Sequence, residues 1–189
     1  MEAFLVSIGV VALGEMGDKT QLLAILLSIR FKRPVPIILG ILIATIVNHA
    51  IAGSVGTWIA KTLGPDALRW VIGSTFLAMA LWTLVPDKVS VGAARINRFG
   101  VFATTAATFF LAEMGDKTQL ATVALAAHYN SLVAVVAGTT IGMLVADIPA
   151  VFLGDTIAKR VSMSLVHGVA AAIFATLGAL TLLNVGKLL

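Results

Sequence analysis

Residues 15–22 read Glu15-Met16-Gly17-Asp18-Lys19-Thr20-Gln21-Leu22, and residues 113–120 repeat the same eight residues. Each copy sits in the middle of an otherwise apolar run. An ionised side chain at the centre of a bilayer costs roughly 2.5–3.5 kcal/mol on insertion scales. Glu15, Asp18, Lys19, Glu113, Asp116 and Lys117 are therefore poor choices for stability alone. They point to a site for something small and positively charged.

Composition places the chain in the membrane class. Of its 189 residues 59% are hydrophobic and only 12% are charged, with mean hydropathy +1.04, where a soluble domain carries about 25% charged residues. The formal charge of +4 comes from loop lysines and arginines that set membrane orientation, and nucleic acid is not an expected partner. There is no cysteine, which excludes disulfides, thiolate metal sites and cysteine nucleophiles. The first apolar run has no basic leader and is too long and too acidic for a cleaved signal peptide.

About 20 apolar residues cross the hydrocarbon layer as a helix. The sequence predicts six such spans, at 3–29, 35–60, 67–86, 100–127, 131–157 and 163–186. An offset of 98 residues relates the two motifs. It also relates Leu13 to Leu111, Gly40 to Gly138, Gly56 to Gly154, Ile59-Ala60-Lys61 to Ile157-Ala158-Lys159 and Phe76 to Phe174. The expected fold is an all-α integral membrane protein of six transmembrane helices, arranged as two inverted three-helix repeats. Residues 1–85 form the first repeat, 86–99 a cytoplasmic linker and 100–189 the second repeat, together making one transport domain. Three is odd, so the second copy runs through the membrane upside down, a plan typical of secondary transporters with a midplane site. Eight loop cations (Arg30, Lys32, Arg33, Lys88, Arg95, Arg98, Lys159, Arg160) oppose three (Lys61, Arg69, Lys187), which puts both termini outside.

Met16 and Met114 lie near the centres of spans 1 and 4. On continuous helices, Glu15, Asp18 and Gln21 share a face, as do Glu113, Asp116 and Gln119. Brought together, these six residues offer an all-oxygen shell for Mg²⁺, Ca²⁺ or Mn²⁺, with Thr20 and Thr118 beside it. Four carboxylates and two ammonium groups leave a net charge of −2, which one divalent cation or two protons would neutralise. Metal and protons then compete for the same oxygens, the minimum requirement for exchange. Lys19 pairs with Glu15 four residues away or moves when metal enters; charge compensation during insertion is the plainer role for both lysines. Gly17 and Gly115 allow either an unwound backbone or close helix packing, and close packing is the expected role.

Polar residues in the other spans form a second ring. Asn48 and His49 lie in span 2, and Asp147 stands in span 5 at the repeat position of His49. Asp147 acts as a ligand, a proton relay or a protonated hydrogen-bonded acid. His49 relays protons or satisfies a buried hydrogen bond. Pro149 should kink span 5. Gly138-x-x-x-Gly142 and Gly53-x-x-Gly56 read as packing seams, Trp58, Trp70 and Trp82 as interface anchors. Met thioethers would favour Mn²⁺ over Ca²⁺, although a membrane methionine is more often packing material.

A doubled E-x-G-D-[KR]-[TS] in a six-span chain resembles the Gdt-type cation transporter family, which includes MneA-type bacterial manganese exporters. The resemblance covers both halves. It maps the family motif onto Glu15, Gly17, Asp18, Lys19 and Thr20, and onto Glu113, Gly115, Asp116, Lys117 and Thr118, with no departure. It implies transport of Mn²⁺ or Ca²⁺, with protons as the coupling ion and no resident cofactor. The chain lacks the N-terminal targeting region and acidic central loop of many eukaryotic relatives, which implies a bacterial plasma-membrane Mn²⁺ exporter. A Ca²⁺/H⁺ antiporter is the nearest alternative. An intramembrane hydrolase is disfavoured because catalytic carboxylates need unlike environments, and a structural membrane protein has no use for six midplane charges. A homodimer is compatible with so few spans, though no residue requires one.

Overall fold

A computed structural model describes residues 1–85, 100–153 and 163–184. Within them every regular element is a helix: α1 (Glu2–Glu15), α2 (Lys19–Phe31), α3 (Pro34–Thr62), α4 (Pro65–Thr83), α5 (Gly100–Glu113), α6 (Lys117–Tyr129), α7 (Leu132–Leu153) and α8 (Met163–Leu182). The expected linker 86–99 and the expected span ends at 154–157 and 185–186 lie outside the described residues. By length and composition, α3, α7 and α8 are apolar enough to cross a membrane.

Spans 1 and 4 are not continuous helices, contrary to the sequence reading. Each breaks inside its motif, giving α1 then α2 and α5 then α6. The cause is backbone conformation. Gly17 has φ +83° and Gly115 φ +76°, a left-handed region where a Cβ is costly. Close packing is not the role of Gly115, since a Cβ there would meet nothing within 4 Å. The chain restarts at Asp18 and Asp116, both extended N-caps, a position where aspartate is favoured. The two breaks match at the 98-residue offset, and so do the far ends of α2 and α6. There Lys32 and Asn130 close the helices in the left-handed conformation, a common stop signal. Pro34 and Pro65 open α3 and α4 at first-turn positions, where the missing N–H costs nothing. Pro149 lies inside a continuous α7.

Packing interlocks the two parts of the chain. α1 lies against α7 and α5 against α3, while α4 and α8 pair with each other. One apolar cluster joins Val10, Ile72, Phe76, Met79, Leu125 and Phe174. Another joins Val11, Ile25, Ile37, Ile41, Phe109 and Met143. The packing seams are real. A Cβ on Gly138 would stand 2.5 Å from the Phe4 carbonyl oxygen, and one on Gly56 2.2 Å from that of Val123.

Side-chain polarity is inverted relative to a water-soluble protein. On α3 the exposed residues include Leu39, Ile43, Val47, Ile51, Val55 and Trp58, whereas Thr45, Asn48 and His49 are buried. An apolar outside around a polar inside is the arrangement lipid demands, because only the interior can satisfy polar groups.

Candidate metal centre

The two breaks bring four helix ends to one place. α1 and α5 end there with carbonyls that lack helical partners, and α2 and α6 begin there, as expected at helix termini. Glu15 and Glu113 are the last residues of α1 and α5, and both are fully buried. Asp18 and Asp116 are buried at the start of α2 and α6.

Oxygens of Glu15, Glu113 and Asp116 all lie within 4.8 Å of one another. Two oxygens bound to one Ca²⁺ stand at most about 5 Å apart, given bond lengths of roughly 2.3–2.6 Å. The three carboxylates can therefore share a single ion. Each also keeps an oxygen pointed at no donor: among the described residues, Glu15 Oε1, Glu113 Oε1 and Asp116 Oδ2 are buried without a hydrogen-bond partner. Buried polar atoms are nearly always satisfied. Three carboxylates in one cluster, each with such an oxygen, form a cage with the chemistry of a cation site.

The remaining motif residues hold the cage. Thr20 donates its hydroxyl hydrogen bond to Glu15 Oε2, and Thr118 donates to Glu113 Oε2 at 3.2 Å. The glutamines staple the breaks. The backbone N–H of Gly17 donates to Gln21 Oε1 at 2.9 Å, and that of Gly115 to Gln119 Oε1 at 2.7 Å. Their amide nitrogens reach across the molecule: Gln21 Nε2 donates to the Ala146 carbonyl at 3.1 Å and Gln119 Nε2 to Asn48 Oδ1 at 3.3 Å. Both ends of each amide are thus engaged with protein, an arrangement that a continuous helix did not foretell.

The lysines also reach across rather than along the chain. Lys19 Nζ is 3.3 Å from Asp116 Oδ1, and Lys117 Nζ is 3.4 Å from Asp18 Oδ1. The expected Lys19–Glu15 pair is replaced because the break destroys the four-residue spacing. Of the second ring, Asn48 donates to the Phe110 carbonyl at 3.0 Å, and His49 Nε2 stands 3.8 Å from Glu113 Oε2. Asp147 is fully buried, and neither carboxylate oxygen has a hydrogen-bond partner among the described residues. Met114 is 56% exposed, so its thioether does not belong to the buried cage.

A family model described as "Divalent cation/proton antiporter GDT1" matches residues 3–90 and 101–187. The chain belongs to this family. GDT1 relatives span bacteria and plants. A Vibrio cholerae protein named "Putative manganese exporter" is 46% identical over 92% of this chain and 87% of its own length. A GDT1-like protein of Synechocystis is 28% identical over 93% of this chain and 95% of its own. GDT1-like protein 4 of rice is 26% identical over 92% of this chain and 70% of its own. No solved structure matches. The family is one of transporters, and its apolar helices make this chain a membrane protein.

Two features escaped the sequence. The helix break was visible only as the glycine in each motif. The partners of Gln21 and Lys19 lie about a hundred residues away, where spacing carries no signal.

Proposed function

We propose that this chain exports Mn²⁺ across a bacterial plasma membrane in exchange for protons, using the cage of Glu15, Glu113 and Asp116. Support comes first from three buried carboxylates that bring oxygens within 4.8 Å of one another and each keep an oxygen without a donor, and then from the name of the Vibrio relative. In this reading the chain has six spans in two inverted halves, 1–85 and 100–189, with 86–99 on the cytoplasmic side and both termini outside. The 98-residue offset and the loop charges support that arrangement.

A divalent cation and protons neutralise the same oxygens. Entry of one releases the other, and this links the two fluxes. Lys19 and Lys117 hold the aspartates when the cation leaves, and Asp147 with His49 provides the next polar groups for a proton. A second reading, Ca²⁺ in place of Mn²⁺, is favoured by the all-oxygen donor set and by the exposure of Met114, since hard oxygen ligands suit Ca²⁺ equally.

Purified protein in sealed vesicles tests this. Mn²⁺ flux should follow an imposed pH gradient and stop in Glu15→Gln and Asp116→Asn. Ca²⁺ flux that Mn²⁺ fails to inhibit would replace the first reading by the second. Flux of neither ion would refute both.

A further inference from the structure

The α4–α8 pair supplies none of the three cage carboxylates, yet it packs against helices that carry them. Its two helices touch almost backbone to backbone: a Cβ on Gly178 would stand 3.0 Å from the Gly73 carbonyl oxygen. Such a contact makes the pair a unit. The unit leans on α1 and α6. α1 leads into the first break and α6 leads out of the second, and Glu2 of α1 lines one cavity with His128 and Tyr129 of α6. These two half-helices therefore occupy the same side of the cage.

Phe174 of α8 reaches the cage wall. Its Cζ and the Thr118 Cγ2 each lie 3.8 Å from the point where a Cβ on Gly14 would stand. Gly14 precedes Glu15, and Thr118 holds Glu113. Behind Phe174 stands Phe76 of α4, its ring stacked at 6.4 Å between centroids and 24° between planes. Both residues are 2% exposed. Phe76 in turn lines a cavity of about 190 Å³ whose other walls include Val6, Leu125 and Leu177, with Glu2, His128, Tyr129 and Thr181 as its polar groups. A chain of contacts thus runs from the cage wall through Phe174 and Phe76 to the cavity. The two lysines differ in exposure: Lys19, which opens α2, has 29% of its side chain exposed, while Lys117, which opens α6, has 6%.

We propose that the stacked Phe174–Phe76 pair is a gate between the carboxylate cage and this cavity, carried by α4 and α8 as one body. A hydrated divalent ion does not pass two stacked apolar rings, because stripping its water without replacement ligands is prohibitive. Release towards the cavity therefore requires the α4–α8 unit to withdraw Phe174 from Gly14 and Thr118. The inference rests on the transport reading of the cage, but it can be tested without metal.

The chain has no native cysteine, so a single introduced thiol reports access. Ala121 is fully buried, on α6 one turn after Thr118 and in the same apolar cluster as Phe174. Ala121→Cys in sealed vesicles should react slowly with a charged thiol reagent added on the cavity side. Adding Phe174→Ala should speed labelling by about tenfold or more, the kind of change expected when a core position becomes locally open. Phe174→Leu keeps apolar bulk without the flat ring, and guards against misfolding of the alanine variant; it should give a smaller acceleration. Labelling at the parent rate in both, or in the leucine variant alone if the alanine variant does not fold, would overturn the gate. Mn²⁺ titration of the same proteins separates the two readings. Binding kept by Phe174→Ala together with faster labelling supports the gate, whereas no Mn²⁺ binding even to the parent would sink the cation reading and leave the labelling result to judge the gate.

Discussion

Replacing Gly115 by alanine tests the broken helix directly. The glycine has φ +76° and open space where a Cβ would go, so any effect must come from backbone strain and not from collision. A non-glycine residue there costs about 1–2 kcal/mol. Alanine also favours a continuous helix over glycine by about 1 kcal/mol. Together they bias the segment against the break by about 2–3 kcal/mol, or roughly 30- to 150-fold at 1.4 kcal/mol per tenfold. Because Glu113 and Asp116 flank Gly115, Mn²⁺ affinity should fall by a comparable factor. Titration of purified protein, following free Mn²⁺ by electron paramagnetic resonance, measures it. Gly9→Ala is the control: Gly9 lies inside α1 with nothing within 4 Å of a Cβ and no positive φ, so affinity should stay unchanged. If Gly115→Ala binds Mn²⁺ within about threefold of the parent, under 1 kcal/mol, the break is not what forms the site.

Gly138→Ala places a Cβ 2.5 Å from the Phe4 carbonyl oxygen and 2.8 Å from Ser7 Cβ; overpacking of this kind should lower stability by about 1–3 kcal/mol, read as an earlier thermal transition in detergent. Lys117→Met should cost more than Lys19→Met, because Lys117 is 6% and Lys19 29% exposed, and breaking a buried ion pair costs about 3–5 kcal/mol; denaturation of the two variants side by side decides. Lowering pH should weaken Mn²⁺ binding, since protons add to the cage oxygens that the ion needs, and binding should release protons; titrations in buffers of different ionisation enthalpy would show both.

Residue chemistry alone revealed the membrane class, the doubled motif and the glutamates, because ionised groups in apolar runs have few explanations. It misjudged Gly17 and Gly115, since a glycine in an apolar helix reads equally as a packing residue or as a hinge, and only the backbone angle separates the two. The Lys19–Asp116 and Lys117–Asp18 pairs were illegible for a different reason: local spacing favoured a partner four residues away, and the break removed it. Thr20 was placed beside the cage, but its bond to Glu15 spans five residues and needs the same break. Phe174 left no trace except its repeat partner Phe76, because one aromatic ring in an apolar span looks like any other.

The interlock of α1 with α7 bears on how the protein is made. Ribosomes deliver the amino-terminal end first, at about 5–20 residues per second. Glu15 and Asp18 therefore enter the lipid about a hundred residues before Asp116 exists, and longer before the α7 surface that will cover them. During that interval Lys19 is the nearest positive group on the nascent segment. The ammonium that ends 3.3 Å from Asp116 in the finished fold is thus, at that earlier stage, the cation nearest in sequence to the newborn acids.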